Sequence, residues 1–395
     1  MDVQGFSWAA VEAGIRYSGR PDLALIVSAV PAVTSGVFTT NIVKAAPVRL
    51  DRQRLAAGIP MRAILANSGN ANACTGEQGE RTAAETAALV AAALKISPEE
   101  VLVASTGVIG EPMSMEPFAA AVPDLVGRLA PSAMDAVARA IMTTDTRPKT
   151  ASIRMDLGDS QVTVAGVAKG AGMIMPDMAT MLAFIVTDAA ISRPCLDSAL
   201  AQGTADTFNR ITVDGDTSTN DTVLVMANGL AGNRLIDGRD SDGYARFSKA
   251  LRAVMEDLAT QIVADGEGAT KLVTITVRGS ENDREARLAA RTAANSLLVK
   301  TAFFGEDANW GRIIAAIGRS GCRMNPDRVS IAFDDVTLVR NGTFAGKEME
   351  DRAAAVLRQK QFTVTVDLHL GPGSASVLTC DLSHDYVRIN ADYRS

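Results

Sequence analysis

Residues 169–188 combine a segment rich in glycine and methionine with a reactive hydroxyl group, that of Thr180. From Met181 onward the residues Met-Leu-Ala-Phe-Ile-Val form a short apolar run, which is typical of a buried strand. A threonine hydroxyl at the start of such a strand can attack the carbonyl group directly before it. Once freed as an N-terminus, this threonine would carry its own general base, the α-amine. The stretch indicates nucleophilic chemistry at Thr180, and a β-branched residue that simply begins a strand is the alternative.

Histidine is scarce in this chain, which contains two, His369 and His384. A Ser–His–Asp triad or a site with several histidine ligands therefore has little to draw on. His369 falls on the polar face of a predicted strand, where we expect a solvated or hydrogen-bonded role. A nucleophile that supplies its own base suits a chain of this composition.

The order Lys169-Gly-x-Gly-Met-Ile, then Pro176, then Met178-Ala-Thr-Met-Leu-Ala-Phe closely resembles the self-cleavage segment of the ornithine acetyltransferases, or glutamate N-acetyltransferases. Members of that family cut themselves between alanine and threonine and use the new N-terminal threonine as the acyl carrier. The resemblance implies cleavage between Ala179 and Thr180, which would give chains 1–179 and 180–395. A dinucleotide-binding fingerprint is rejected, because its third glycine and the strand–turn–helix frame are missing.

Residues 105–110, Ser-Thr-Gly-Val-Ile-Gly, follow a predicted strand and offer a hydroxyl group at Thr106 beside Gly107. A glycine lets backbone N–H groups approach a ligand closely. Acyl transfer passes through an oxyanion that such donors stabilise. A plain turn at the end of a strand is the alternative reading of these residues. By the resemblance, Thr106 and Gly107 form the oxyanion hole.

Lys169 lies in an apolar segment, where an ammonium group needs an anion or an acceptor to offset its desolvation. A substrate α-carboxylate would serve, and a surface lysine at the start of a loop is the alternative. Glu267 lies between two glycines and could receive an ammonium group. The resemblance implies that both residues bind substrate, so that together they would hold the two ends of an amino acid.

The resemblance also assigns substrate binding to Thr143, beside Thr144, to Asn390 and to the last residue, Ser395. It extends to residues 36–41, 67–76, 208–221 and 300–312, which we expect near the site without individual roles. Asp177 stands where the family commonly has asparagine, and its charge could slow maturation. Ser395 stands where threonine is common and keeps the hydroxyl group.

The chain has 395 residues, of which 47% are hydrophobic and 21% charged, and its net charge is −6. This charge argues against nucleic acid as the main partner. No apolar run reaches the length of a membrane span, and no signal peptide is recognisable, so we expect a cytoplasmic protein. Four cysteines without CxxC spacing and an aspartate pattern unlike a calcium loop predict no metal site. No bound cofactor is expected.

Strands and helices alternate throughout, which predicts an α/β or α+β fold. Predicted strands are 23–28, 62–66, 101–104, 161–165, 181–186, 222–226, 271–277, 329–333, 361–370 and 374–381. Predicted helices are 84–94, 131–142, 194–208, 244–264 and a final one that runs from the polar break at 280–284 to about 299. That break predicts two domains, 1–280 and 281–395. Residues 67–76 are dense in turn formers and predict a loop.

The resemblance implies an αββα-type sandwich with a smaller C-terminal α/β domain, and an α2β2 assembly. It implies transfer of an acetyl group from N2-acetylornithine to glutamate through acetyl-Thr180. Acetyl-CoA as a further donor stays open, as does a paralogue of a secondary pathway. Two other functions remain: a self-processing N-terminal-nucleophile amidase or aminopeptidase, and an uncleaved protein that binds a small metabolite.

Overall fold

The computed structural model describes residues 2–175 and 181–392, which form two compact units. The first unit contains the residues up to Asn209 together with Asp216–Ile262, and the second contains Arg210–Gly215 and the residues from Val263 onward. The predicted boundary at 280 lies at the end of a strand, Leu272–Ser280. That strand pairs within the sheet of the second unit, so the division of the structure comes before it.

The described part of the first unit is built on an eight-stranded mixed sheet. Seven of its strands follow the order β4-β3-β2-β8-β7-β6-β5, and the eighth, β1, pairs with β2. Its strands are β1 (Phe6–Val11), β2 (Leu23–Phe38), β3 (Met61–Asn70), β4 (Val101–Val108), β5 (Lys149–Leu157), β6 (Ser160–Lys169), β7 (Leu182–Thr187) and β8 (Thr222–Ala227). Its helices are α1 (Ala46–Ala56), α2 (Gly76–Leu94), α3 (Glu116–Gly127), α4 (Met134–Ala140), α5 (Arg193–Asp206) and α6 (Asp242–Ala264).

The long strand β2 belongs to both halves of this sheet. Its first half pairs with β1 and β3, and its second half pairs with β8. Side chains from the two halves share one core, as Trp8 of β1 and Phe184 of β7 illustrate. The two halves therefore pack face to face as the inner layers of a sandwich.

Helices cover the two outer faces of the sandwich. Side chains of α2 and α3, such as Val90 and Phe118, share a second core with β1–β4. Across the other face, a Cβ atom on Gly166 of β6 would lie 3.3 Å from the Leu258 side chain of α6. The layers follow the order helix, sheet, sheet, helix, so the predicted αββα fold class is confirmed.

The local sequence explains the central strands. All six residues of β7 are buried, and so are all six of β8, to which β7 runs parallel. A continuous apolar run is the pattern expected of a strand that is covered on both faces.

The described part of the second unit is an α/β unit with one mixed sheet of the order β12-β11-β10-β13-β9-β14. Its elements are β9 (Leu272–Ser280), α7 (Asp283–Ala294), α8 (Leu297–Phe304), α9 (Trp310–Gly318), β10 (Ser330–Phe333), β11 (Val336–Arg340), β12 (Thr343–Phe344), α10 (Lys347–Leu357), β13 (Gln361–Asp367), β14 (Gly373–Cys380) and α11 (His384–Asp392). Five alanines at helical spacing on α7 face the core, and Asn282 caps this helix by accepting from Glu285 N.

Each predicted strand overlaps an observed one, and two other predictions are wrong in part. The final predicted helix is two helices, α7 and α8, because Asn295 and Ser296 end one and begin the other. The predicted loop at 67–76 begins as strand, since β3 continues to Asn70. Across the part of the chain that the structure describes, no helix is long and apolar enough to cross a membrane.

Candidate active site

Thr106 and Gly107 lie inside β4, where the sequence allowed a turn after a strand. Gly107 has φ +135°, and a Cβ atom there would lie 2.3 Å from the carbonyl carbon of Gly69 in β3. A side chain cannot be accommodated at that distance, so the two strands approach closely through glycine alone. Thr106 is buried beside it. The pair therefore presents a hydroxyl group and glycine backbone in a position that is rigidly held.

Asn220 fixes the residue before this pair. Its Nδ2 donates to the carbonyl oxygens of Ser105 (2.8 Å) and Ala71 (2.7 Å). Ser105 in turn donates through Oγ to Asn67 Oδ1 (2.7 Å). Each of these polar side chains is buried. The strand that carries Thr106 is thus held on its polar side by a network of amide groups.

Asp145 organises two of the predicted substrate residues. Its carboxylate accepts from Thr143 N (3.0 Å) and from Gly170 N (2.7 Å), which follows Lys169. It also forms an ion pair with Lys149 Nζ at 2.6 Å, and Lys169 Nζ lies 4.0 Å from its second oxygen. One buried carboxylate therefore determines where Thr143 and Lys169 lie.

The charges of this cluster suit an anionic ligand. Burial alone would raise the pKa of Asp145, but the charges of Lys169 and Lys149 and the hydrogen bonds from Lys149 and Gly170 outweigh it and lower the pKa to about 2. Asp145 is therefore ionised at neutral pH. Two lysines and one ionised carboxylate therefore lie together, and each of the three side chains is buried. Buried lysines are groups that can bind a substrate carboxylate.

Asp221 accepts a hydrogen bond from the residue that follows the candidate nucleophile in the sequence. Its Oδ1 accepts from the backbone N–H of Met181 (3.0 Å), the residue that follows Thr180. Burial raises the pKa of Asp221 well above its usual range, although the Met181 hydrogen bond and the charge of Lys169 oppose the shift. Asp221 is fully buried. This carboxyl group therefore favours the neutral form.

In the second unit, the structure places two of the predicted substrate residues, Glu267 and Asn390, in contact with each other. Asn390 Nδ2, on α11, donates to Glu267 Oε2 (2.6 Å) and to the carbonyl oxygen of Tyr386 (3.0 Å). The Glu267 side chain is mostly buried. One oxygen of this carboxylate is held by an amide, which leaves an acidic group suited to an ammonium ligand.

The loop that carries Glu267 is fixed by residues near the C-terminal helix. Asp381 accepts from the backbone N–H groups of Thr270 (2.8 Å) and Lys271 (2.9 Å), and Ser383 Oγ donates to Gly268 O (2.6 Å). Gly268 has φ +67°, and a Cβ atom there would lie 2.6 Å from Tyr386 N. Glycine is required at this position so that α11 can lie against the loop.

Three predicted site residues, Ala179, Thr180 and Ser395, lie outside the described residues, as does Asp177. Among the segments without assigned roles, 300–312 is partly core. Phe303 packs edge-on against Phe362 with ring centroids 5.4 Å apart, and Lys300 Nζ donates to Thr379 Oγ1 (3.1 Å). These two side chains of the segment are buried and support the fold of the second unit.

Sequence reasoning missed Asp145, Lys149, Asn220 and Asp221 as individual residues. Asp145 stands within the threonine cluster that was singled out for Thr143, and Asn220-Asp221 directly precede the buried strand β8. Acidic and amide residues at the edge of a buried apolar run are a signal that could have identified them, because such groups must find partners.

In the first unit, a glycine-lined strand and a cluster of buried lysines lie in one layered α/β fold, an arrangement typical of enzymes that act on small molecules. The ArgJ family profile matches residues 7–395. The arginine biosynthesis bifunctional proteins ArgJ of Geobacter sulfurreducens and Desulfotalea psychrophila are 56% and 55% identical to this protein over 395 residues. Each alignment covers the whole of both chains.

Among solved structures, the arginine biosynthesis bifunctional protein ArgJ of Bacillus halodurans is 49% identical with a TM-score of 0.51. The match covers 98% of that chain and 53% of this one. The chain belongs to the ArgJ family. The resemblance to ornithine acetyltransferases found in the sequence is thereby confirmed.

Proposed function

We propose that this protein is a glutamate N-acetyltransferase that moves an acetyl group from N2-acetylornithine to glutamate. The full-length similarity to the ArgJ proteins carries this proposal. The buried cationic cluster around Asp145 and the acidic group Glu267 add a physical reason, since the substrates are amino acids with a carboxylate and an ammonium or amide end.

Self-cleavage would come first. Thr180 Oγ attacks the carbonyl carbon of Ala179, the bond from that carbon to the Thr180 nitrogen breaks, and the acyl group moves from nitrogen to oxygen. This step gives an ester and frees the α-amine of Thr180. Water then hydrolyses the ester, which releases the Ala179 carboxylate and restores the Thr180 hydroxyl group. The B. halodurans chain corresponds to about half of this one, as expected where the two pieces are separate chains.

Transfer would follow in two half-reactions. Thr180 Oγ attacks the acetyl carbonyl of N2-acetylornithine while the α-amine of Thr180 takes the hydroxyl proton. The amine returns the proton to the departing nitrogen of ornithine, which leaves acetyl-Thr180. Glutamate then attacks this ester through its amino group and departs as N-acetylglutamate.

Thr106 and Gly107 would stabilise the oxyanion in each of these steps. A preorganised donor is worth about 3 kcal/mol in such sites. The close approach of β3 and β4 at Gly107 supports this role, because it fixes the backbone before the charge develops. Lys169 and Thr143 would bind the substrate carboxylate, and Glu267, Asn390 and Ser395 the other end.

The first test is the intact mass of the purified protein beside Thr180→Ala, with Thr180→Ser as the variant that keeps a hydroxyl group. We expect two pieces, 1–179 and 180–395, from the wild type and a whole chain from Thr180→Ala. A wild-type chain that stays whole and is inactive on N2-acetylornithine would overturn the proposal and favour a binding protein.

The acyl acceptor is tested by incubation with N2-acetylornithine, with and without glutamate. Stoichiometric N-acetylglutamate, and little ornithine in the absence of glutamate, are the results expected of a transferase. Ornithine and free acetate at equal rates in both reactions would identify an amidase instead. A third reaction with acetyl-CoA and glutamate tests the second activity that the name of the bifunctional relatives suggests.

We also propose that the protein needs no metal or bound cofactor, that it acts in the cytoplasm, and that two copies of each piece form an α2β2 assembly. Activity after exhaustive chelation tests the first point. Light scattering on the cleaved protein, with a mass of two full chains as the expected result, tests the assembly.

A further inference from the structure

Met181, the residue after the candidate nucleophile, is held on both sides by one short segment. Its N–H donates to Asp221 Oδ1 (3.0 Å), and its carbonyl oxygen accepts from Thr222 N (3.1 Å). The second bond belongs to the pairing of β7 with β8. The first does not, because it uses a side chain where a strand partner would normally supply a carbonyl group.

Asp221 is itself fixed. Its carbonyl oxygen accepts from Thr39 N (3.0 Å), and the side chain is fully buried. Within the part of the chain that the structure describes, no group meets the full geometry of a hydrogen bond to Oδ2, although a side-chain contact with Thr39 opposes the rise in the pKa of Asp221. A buried carboxyl group with one oxygen unsatisfied is costly for stability.

The preceding residue, Asn220, reaches in another direction. It binds the carbonyl oxygen of Ser105, directly before Thr106, at 2.8 Å. Two neighbouring side chains therefore hold the residue after the candidate nucleophile and the residue before the candidate oxyanion donors.

We propose that Asn220 and Asp221 are positioning residues that set the distance between the Thr180 nucleophile and the oxyanion donors Thr106 and Gly107. Both act through a neighbour in sequence, Asn220 through Ser105 and Asp221 through Met181. Self-cleavage and acetyl transfer both use the Thr180 hydroxyl group as the nucleophile and both pass through an oxyanion, so both reactions would depend on this distance. The inference rests on the proposed function.

Asp221→Ala and Asp221→Leu test the Asp221 arm, the second variant because it keeps side-chain volume without an acceptor. We expect self-cleavage, followed by intact mass, to slow by about 100-fold, the size associated with a misplacement of about 1 Å. In the fraction that is eventually cleaved, kcat falls by a similar factor while KM for N2-acetylornithine stays within about twofold, since no substrate contact is lost.

Two comparisons separate positioning from a general loss of stability. Asp221→Asn keeps an oxygen that can accept from Met181 N and should restore cleavage and kcat to within about threefold. Asp51 is a matched control: it is also fully buried, accepts one backbone N–H, from Val103 at 2.9 Å, and has an unpartnered Oδ2. Asp51→Ala should lower the melting temperature about as much as Asp221→Ala and leave kcat unchanged.

The Asn220 arm has its own matched pair. Asn220→Ala should lower kcat, whereas Asn233→Ala, which removes a buried amide bound to Ala190 at 2.8 and 3.1 Å, should not. Wild-type cleavage and kcat in the Asp221 variants would overturn the inference. So would a defect in Asp221→Asn as deep as in Asp221→Leu. A wild type that is never cut would overturn the proposed function as well, and that outcome is distinct from unaffected variants.

Discussion

Asp145 and Asp221 lie in the same unit and are both buried, yet they favour opposite charge states. Two lysines beside Asp145 hold its pKa at about 2, against the effect of burial. Burial raises the pKa of Asp221 well above its usual range, although the hydrogen bond of Met181, the Thr39 side chain and the charge of Lys169 oppose the rise. The difference teaches that close charged partners, rather than depth of burial, decide whether a buried carboxyl group is ionised.

The two environments also suit different tasks. An ionised carboxylate holds cationic side chains in place, as Asp145 does with Lys149. A neutral carboxyl group attracts no ion but can hold a backbone group in place. Asp51 belongs with Asp221 in this comparison, because burial also raises the pKa of Asp51 well above its usual range.

The largest effect is expected from Asp145→Ala, which would break the ionised side of the comparison. Removing this carboxylate leaves Lys149 buried without its ion-pair partner Asp145, and such a change lowers the free energy of unfolding by about 3–5 kcal/mol. Chemical denaturation should show it. A variant that also replaces the lysine, Asp145→Ala with Lys149→Met, should recover part of the loss. A single variant as stable as the wild type would contradict the assigned ion pair.

Acid should weaken the wild type through the same residue. The pKa of Asp145 in the folded chain lies below its unfolded value of about 3.9, so its contribution is present above pH 4 and is lost as the pH falls towards 2. The stability difference between the wild type and Asp145→Asn should therefore narrow by on the order of 2 kcal/mol across that range. A difference that does not change with pH would show that Asp145 is not ionised.

Lys169→Met should separate the two lysines. The charges of both lysines lower the pKa of Asp145, but Lys149 Nζ lies 2.6 Å from the carboxylate and Lys169 Nζ lies 4.0 Å from it, so of the two only Lys149 is within hydrogen-bond distance. We expect Lys169→Met to raise KM for N2-acetylornithine by about 10- to 100-fold, which corresponds to the loss of one charge-assisted hydrogen bond. Its loss of stability should be smaller than that of Lys149→Met. Lys149→Met is the matched variant and should show the reverse. Equal effects of the two changes on KM would contradict the assignment of Lys169 to substrate.

The smallest effect is expected from Asp51→Asn, which tests a buried carboxyl group whose pKa is raised. Because its folded pKa is raised, Asp51 lowers the stability of the wild type as the pH rises above the unfolded value near 4. The variant should be about as stable as the wild type near pH 4 and gain by up to about 1.4 kcal/mol per pH unit until the folded pKa is reached. A constant difference would show that the Asp51 carboxyl group does not change its charge in this range.

The core strands and the identity of the family could be predicted from the sequence. Continuous apolar runs such as 181–186 and 222–226 have one stable arrangement in a layered fold, and the residues around 169–186 are specific enough to indicate the family. Edge elements such as β5 were not predicted, because Lys149–Leu157 mixes polar and apolar residues along a strand with one neighbour.

The positioning residues could not be predicted, since their importance arises from contacts between residues far apart in the sequence. Asn220 meets Ser105 at a separation of 115 positions, and Asp221 meets Met181 at a separation of 40. A pattern within one segment carries no information on such pairs. The pairing of β9 could not be predicted for the same reason, because its partners, β13 and β14, come much later in the chain.

The order of strands in the first sheet has a consequence for the two pieces after a cut at 179–180. The second piece would contribute β7 and β8, which lie between β2 on one side and β6 on the other, both from the first piece. The pieces would be interleaved, so neither could leave without breaking two rows of backbone hydrogen bonds. After cleavage, refolding from denaturant would require two separate chains to associate. The yield of refolded protein should therefore depend on protein concentration, whereas the yield for the uncut Thr180→Ala chain should not.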